Sequence, residues 1–270
     1  MGFFLVLKAE VVRGLIIMRR YWFATLTGLI ISYGFLMLLI LAFVSNPQML
    51  AAYSESIFDK VVGFLVGMLA MGLVGMFTQG LQGMARTGEL EQVCMSPHGL
   101  VTNFLARSLV AAVMSILTYT ILLSLLAASL EGGIYWDPFA TVVVLALTYL
   151  NLIGFGFMVG GLVLVFKQTG QVAMLIRLVL LMIAIGSEQI QRFPVWFRAL
   201  AHCIPITDAA ISLKYVLVKG QEIGGTYRSV YMQPNFYFLI LNCIVWTFIG
   251  IVCFRILENW SRDKGTLGAY

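Results

Sequence analysis

Six apolar stretches, residues 21–44, 61–84, 101–130, 139–166, 172–190 and 236–257, set the limits on what this chain folds into. A bilayer's hydrocarbon core, about 30 Å thick, is crossed by about 20 residues of helix. Barrel strands are half that length and alternate polar with apolar residues, a pattern absent here. The expectation is an all-α integral membrane protein, one domain over 1–270 with six transmembrane helices. Composition agrees: 61% of the residues are apolar, only 11% are charged, and mean hydropathy is +0.96. A soluble domain carries about 25% charged residues, so this chain lacks the polar groups to cover a water-facing surface. A charged, amphipathic segment stands where the apolar region of a cleavable signal peptide would begin.

The 17 Lys and Arg outnumber the 12 Asp and Glu, but they sit at the ends of apolar segments and form no basic face of the kind that binds nucleic acid. They read as topology. Eleven lie on the side of both termini and of the second and fourth connections, against six on the other side, five of those in one long segment. The larger cluster marks the cytoplasm, so a plasma-membrane protein with both termini inside is expected. Cys94, Cys203, Cys243 and Cys253 include no CxxC pair, and His98 and His202 stand far apart, so no metal site is expected. Both histidines read as surface residues.

Two segments outside the spans carry pattern. In residues 3–20, Phe3, Phe4, Leu7, Val11, Leu15 and Met18 share one arc, while Lys8, Glu10, Arg13, Arg19 and Arg20 fill the rest. That pattern predicts a helix lying in the membrane interface. Residues 191–235 are too apolar for a linker, and Pro194 and Pro205 interrupt helix there. They read as a re-entrant helical pair on the extracellular face, with Thr207 or Asp208 capping its second helix and an exposed tail through Gly224 and Gly225. Gly63 with Gly67, and Gly156 with Gly160, stand at helical spacing and predict close helix packing.

The connection at 86–97 is short and polar. Its stretch Glu89–Cys94 reads as helix, with acidic residues at its start, and Ser96-Pro97 stops it. The run ARTGELEQVCMSP resembles the E-x-G-T-L-E-x-L-x-x-S-P signature of type-2 ATP-binding-cassette (ABC-2) exporter permeases, with Ala85 and Glu89 departing from it. FPVWFRALAHCIPITDAAISLKYVLVKG resembles the family's region after the fifth span, and RDKGTLGAY its Gly-x-Leu-Gly-x-Tyr ending.

The resemblance implies the transmembrane subunit of an ATP-driven exporter, paired with a second permease copy or paralogue and docked on separate ATPase subunits. Residues 86–97 would be the coupling helix, flanked by the 3–20 helix. Gly88 would permit a tight turn, Glu89 and Glu91 would pair with basic groups of the ATPase, and Leu90 and Val93 would fill its cleft, with Arg86 and Thr87 beside them. ATP and Mg would belong to the partner, since the chain has no G-x-x-x-x-G-K-[ST] motif and no catalytic constellation; it is not expected to be an enzyme. In the family the second and fifth spans tend to line the path, which makes Gln79, Gln82 and Glu188 wall candidates. Asn151, polar and mid-span, is a further one, although it suits a bond between helices better than a cargo contact. So little polarity suits an amphipathic cargo, drug-, lipid- or peptide-like, with glycan or ions as alternatives. A stand-alone ion-coupled carrier, the rival reading, would want a buried charge relay and an inverted repeat; neither is evident.

Overall fold

A computed structural model describes residues 2–43, 47–129, 137–166, 170–218 and 230–264. Among them the chain is all-helical: α1 (Gly2–Arg20), α2 (Trp22–Phe43), α3 (Pro47–Thr87), α4 (Glu89–Met95), α5 (Gly99–Ser129), α6 (Pro138–Phe166), α7 (Gly170–Gly186), α8 (Val195–His202), α9 (Thr207–Leu217) and α10 (Pro234–Asp263). Short 3-10 turns, Ser187–Arg192 and Val230–Met232, precede α8 and α10. The residues expected as an exposed tail around Gly224 and Gly225, and the run 265–270, lie outside the described residues.

Among the described residues five helices are long and apolar enough to span a bilayer: α2, α3, α5, α6 and α10. The expected fifth span is shorter than the sequence suggested. The helix α7 ends at Gly186, and the chain then tightens into the 3-10 turn; 17 residues at 1.5 Å each reach only about 26 Å. Conversely, α3 is longer than the expected 61–84. The polar residues Ser54, Glu55, Asp59 and Lys60 end the apolar count but do not break a helix, and Pro47 suits a helix start. Asp137 starts α6 by accepting from the backbone N–H groups of Phe139 and Ala140, both at 3.1 Å.

The bundle is joined by rings and glycines. Phe77 of α3 meets Phe104 of α5 at 5.8 Å and Phe157 of α6 at 4.9 Å between centroids. Phe157 in turn meets Phe254 of α10 at 5.3 Å, edge to face. All four rings are buried and link four helices. The paired glycines serve packing within the chain. A Cβ at Gly63 would come within 2.5 Å of the Ala184 carbonyl on α7, one at Gly67 within 2.5 Å of Leu181, and one at Gly156 or Gly160 would crowd Phe77 or Leu81. The closest approach is between α6 and α10, where a Cβ at Gly250 would strike the backbone of Gly154.

The bundle has two distinct ends. A Cβ at Gly2 would meet the His98 ring, so the start of α1 lies beside the turn between α4 and α5. Cys94 of α4 feels Arg262 and Glu258 at the far end of α10. The bend between α8 and α9, 89°, belongs to the other end. Outward faces are strongly apolar: Ile31, Leu38, Val113, Met182 and Phe248 are each more than 60% exposed.

These contacts carry a prediction. Replacing Gly250 with Val forces α6 from α10 and lowers stability by about 1–3 kcal/mol. Gly72→Ala, at a position with open space around it, stays within about 0.5 kcal/mol. Thermal unfolding of the purified protein in detergent separates the two.

Candidate functional site

Two places break the regular helices, and both bring polar groups together. The first is α4. The left-handed glycines Gly88 (φ 74°) and Gly99 (φ 69°) bracket it and are the positive-φ glycines among the described residues. A side chain at such a φ costs about 1–2 kcal/mol, so glycine suits both corners. Glu89 and Glu91 occupy the first turn, where the helix dipole favours negative charge. The exit is pinned as well: Ser96 N–H donates to the Val93 carbonyl at 3.1 Å, and Asn103 Nδ2 donates to the Gly99 carbonyl at 2.8 Å.

The coupling-helix candidates divide by direction. Arg86, Thr87, Gly88 and Glu91 are exposed, along with Gln92 and Met95; Glu89 and Val93 are half-buried. Leu90 points the other way. It is fully buried in this chain's own core, so it anchors α4 to the bundle, contrary to the expectation that it fills a partner's cleft. The residue is apolar because it faces inward, a reading that a seven-residue pattern could not separate from the other.

Behind α4 lies the end of α10. Glu258, 6% exposed, pairs with Arg262, Oε1 to Nη2 at 2.5 Å. Burial holds the Cys94 thiol above its ordinary pKa, against the opposing pull of the Arg262 charge. The α4 helix thus leans on a charged brace.

The second break is the bend between α8 and α9, where the chain leaves three carbonyls without helical partners. Each receives a side-chain donor from a neighbouring helix. Asn242 of α10 donates to the His202 carbonyl at 2.7 Å, Trp246 Nε1 to that of Cys203 at 3.0 Å, and Asn151 of α6 to that of Pro205 at 2.7 Å. Asp208, fully buried, accepts from Asn242 at 3.2 Å and contacts His202 Nδ1 at 2.8 Å. The His202 ring stacks on Phe238 at 5.2 Å. Neither Thr207 nor Asp208 caps α9 through its side chain, because Asp208 is taken up by this network. His202 is likewise a network member where the sequence suggested a plain surface residue. Lys214 of α9, 3% exposed, donates to the Ile185 carbonyl at the end of α7 at 3.0 Å. Asn151 stands 13 residues into α6, so the bend reaches about 20 Å along that helix.

The wall candidates separate in the same way. Gln79 is exposed and Gln82 half-exposed on one face of α3, and Gln79 borders a cleft of about 500 Å³. Asn151 is fully buried and donates to the Pro205 carbonyl, the bond between helices that suited it better than a place on the path. Glu188 lies in the 3-10 turn Ser187–Arg192, and its side chain is outside what the structure describes. Asn242 and Trp246 were missed in the sequence, and Asp208 was read only as a cap. Their signal was Pro205 itself, since a helix broken within apolar sequence leaves carbonyls that polar residues on adjacent spans must meet.

The sequence model of the ABC-2 type transporter family matches residues 6–218. This chain belongs to that family. It is therefore a multi-pass membrane protein of the class that forms the membrane part of ABC transporters, which associate in general with an ABC ATPase. No curated protein and no solved structure matches the chain.

Both breaks can be tested. Asn242→Leu orphans the His202 carbonyl and removes a donor to Asp208, lowering stability by about 1–3 kcal/mol in detergent unfolding, with a smaller loss for Trp246→Phe. Because the Cys94 thiol is held high, its thiolate fraction near neutral pH is low. Its alkylation by maleimide therefore rises only at pH above the ordinary thiol range of about 8.5, read by mass spectrometry of the labelled peptide.

Proposed function

We propose that this chain is the permease subunit of an ATP-driven exporter, working as a dimer with two cytosolic ATPases that engage α4. The observation that carries this reading is the build of α4. It is a seven-residue helix fixed at both corners by left-handed glycines, anchored from beneath by Leu90 and braced by Glu258 and Arg262. A short, stiff element that presents Glu91, Gln92, Met95 and Arg86 outward transmits displacement; a slack loop would absorb it. The helix α3 leads from α4 to the far end of the bundle as one 41-residue rod, so a push at Thr87 is felt at Gly63, where α7 and α9 meet it.

In this reading the α4 end faces the cytoplasm of a plasma-membrane protein, in line with the Lys and Arg count. The α1 helix lies along that interface beside α5, the α8–α9 bend is a re-entrant hairpin entering from outside, and α3's uncovered face, with Gln79 and Gln82, borders the path. The second permease is an identical copy or a paralogue, and the cargo is amphipathic. Rigid loading follows from the packed interior: closure of the ATPases on nucleotide binding moves α3 and α5 through α4 and shuts the inner gate.

Glu91→Ala and Gly88→Pro test the reading directly. Proline cannot adopt a φ near +74°, and removal of Glu91 deletes a charged contact worth about tenfold. Permease-dependent ATP hydrolysis in reconstituted vesicles should fall in each variant, with the permease still folded by thermal unfolding. Unchanged coupling in both would remove α4 from the role.

A further inference from the structure

One face of α3 is left uncovered towards α4, through Met68, Gly72, Gln79, Gly83 and Arg86. Two clefts open along it. Nearer α4, a cleft of about 500 Å³ between α3, α5 and α7 is lined by Gly72, Gly75, Gln79, Arg107 and Arg177, among others. Farther from α4, a cleft of about 390 Å³ is apolar, with Phe35, Phe64, Met68 and Leu122 among its walls. Gln79 and Phe64 stand 15 residues apart on α3, about 22 Å.

Arg107 is the ninth residue of α5 and Arg177 the eighth of α7, so each lies about two turns inside its helix. Among the described residues neither forms an ion pair with a carboxylate of this chain. Arg177 Nε donates to the Ala173 carbonyl at 3.1 Å, and Arg107 Nη1 lies 3.7 Å from the Met84 sulfur. Arg107 also borders a second cleft that holds Glu10, but Glu10 is taken by Arg13 at 3.3 Å. Gly75 lets the guanidinium of Arg177 come close to α3, since a Cβ there would sit 3.3 Å from Nη1.

Ionisable groups at membrane depth carry a large desolvation cost and seek a counter-charge. Two guanidiniums sharing a cleft present forked donors that match phosphate, and basic pockets between helices near the inner side of a membrane suit lipid head groups. The apolar cleft farther up the same helix face suits a hydrocarbon tail.

We propose that the Arg107–Arg177 cleft binds the phosphate-type head of an anionic amphiphile whose tail runs along Met68 and Phe64, an assignment of cargo class that rests on the transport reading above. The head is held by the two guanidiniums, with Gln79 as a neutral donor. The tail fills the apolar cleft, and the exposed glycines leave the floor low enough for a head group to pass.

The test uses the purified full chain in nanodiscs of zwitterionic lipid, without any ATPase. Binding of a single-chain acyl-glycerol phosphate, of the phosphocholine with the same chain, and of inorganic phosphate is measured by calorimetry. The acyl phosphate should bind about tenfold tighter than the phosphocholine, and R107Q and R177Q should each weaken it about tenfold. Inorganic phosphate alone should bind far more weakly than either. The double variant R107K/R177K, which keeps the charges, should retain the preference for phosphate, and it serves where a Gln variant loses its thermal transition. Equal binding of the two amphiphiles, or wild-type affinity in R107Q/R177Q, overturns the proposal. Inorganic phosphate binding as tightly as the acyl phosphate also overturns it, by making the cleft a site for a free anion. Because no ATPase takes part, a negative result here leaves the Glu91 and Gly88 experiments standing, and loss of coupling in those variants leaves the binding intact.

Discussion

Backbone-to-backbone contact at glycines is the constraint on which this molecule depends. Lipid tails are as apolar as leucine, so burying apolar surface gives spans little reason to associate, and close van der Waals contact must do it. Here α6 and α10 touch at Gly154 and Gly250, and α3 lies against α7 at Gly63 and Gly67. With the helices that near, the rings of Phe77, Phe104, Phe157 and Phe254 interlock, and the interior behaves as one packed body. Helices α2 and α7, by contrast, leave broad apolar faces outside that body.

The bend between α8 and α9 is possible only inside such a body. A helix interrupted among apolar neighbours exposes carbonyl groups that water does not reach, and each orphan would cost about 1–3 kcal/mol. Donors from two different helices, α6 and α10, meet the carbonyls of residues 202, 203 and 205. Asp208 then binds the arrangement to His202 and Asn242. The break is thus specified by residues up to 54 positions away in the chain.

That distance separates what the sequence discloses from what it hides. Local rules sufficed for α4: Gly88 at a tight corner, acidic residues at a helix start and Ser96-Pro97 at its end all act within one or two turns, and the helix runs over Glu89–Met95. Five of the six spans followed from length and hydropathy. The sixth did not, because Gly186 and Ser187 shorten α7 while the apolar count runs on. The orientation of Leu90 was hidden because one short helix does not reveal which side meets its own bundle. Asn151, a polar residue in a span, suited a bond between helices better than a cargo contact, and the structure gives it the Pro205 carbonyl, a partner the sequence does not name. Asn242 and Trp246 were not singled out because Pro205 marks the break but not which residues of the neighbouring helices meet its carbonyls.

The gathering of chain segments around α4 has its own consequence. The start of α1 borders the α4–α5 turn at His98, and the end of α10 brings Arg262 and Glu258 near Cys94. In the proposed arrangement an ATPase seated on α4 would stand on a tripod whose feet belong to the first helix, the last helix and the long rod of α3. Tilting it would load three separated regions of the chain at once, so the bundle would register the direction of a push as well as its size.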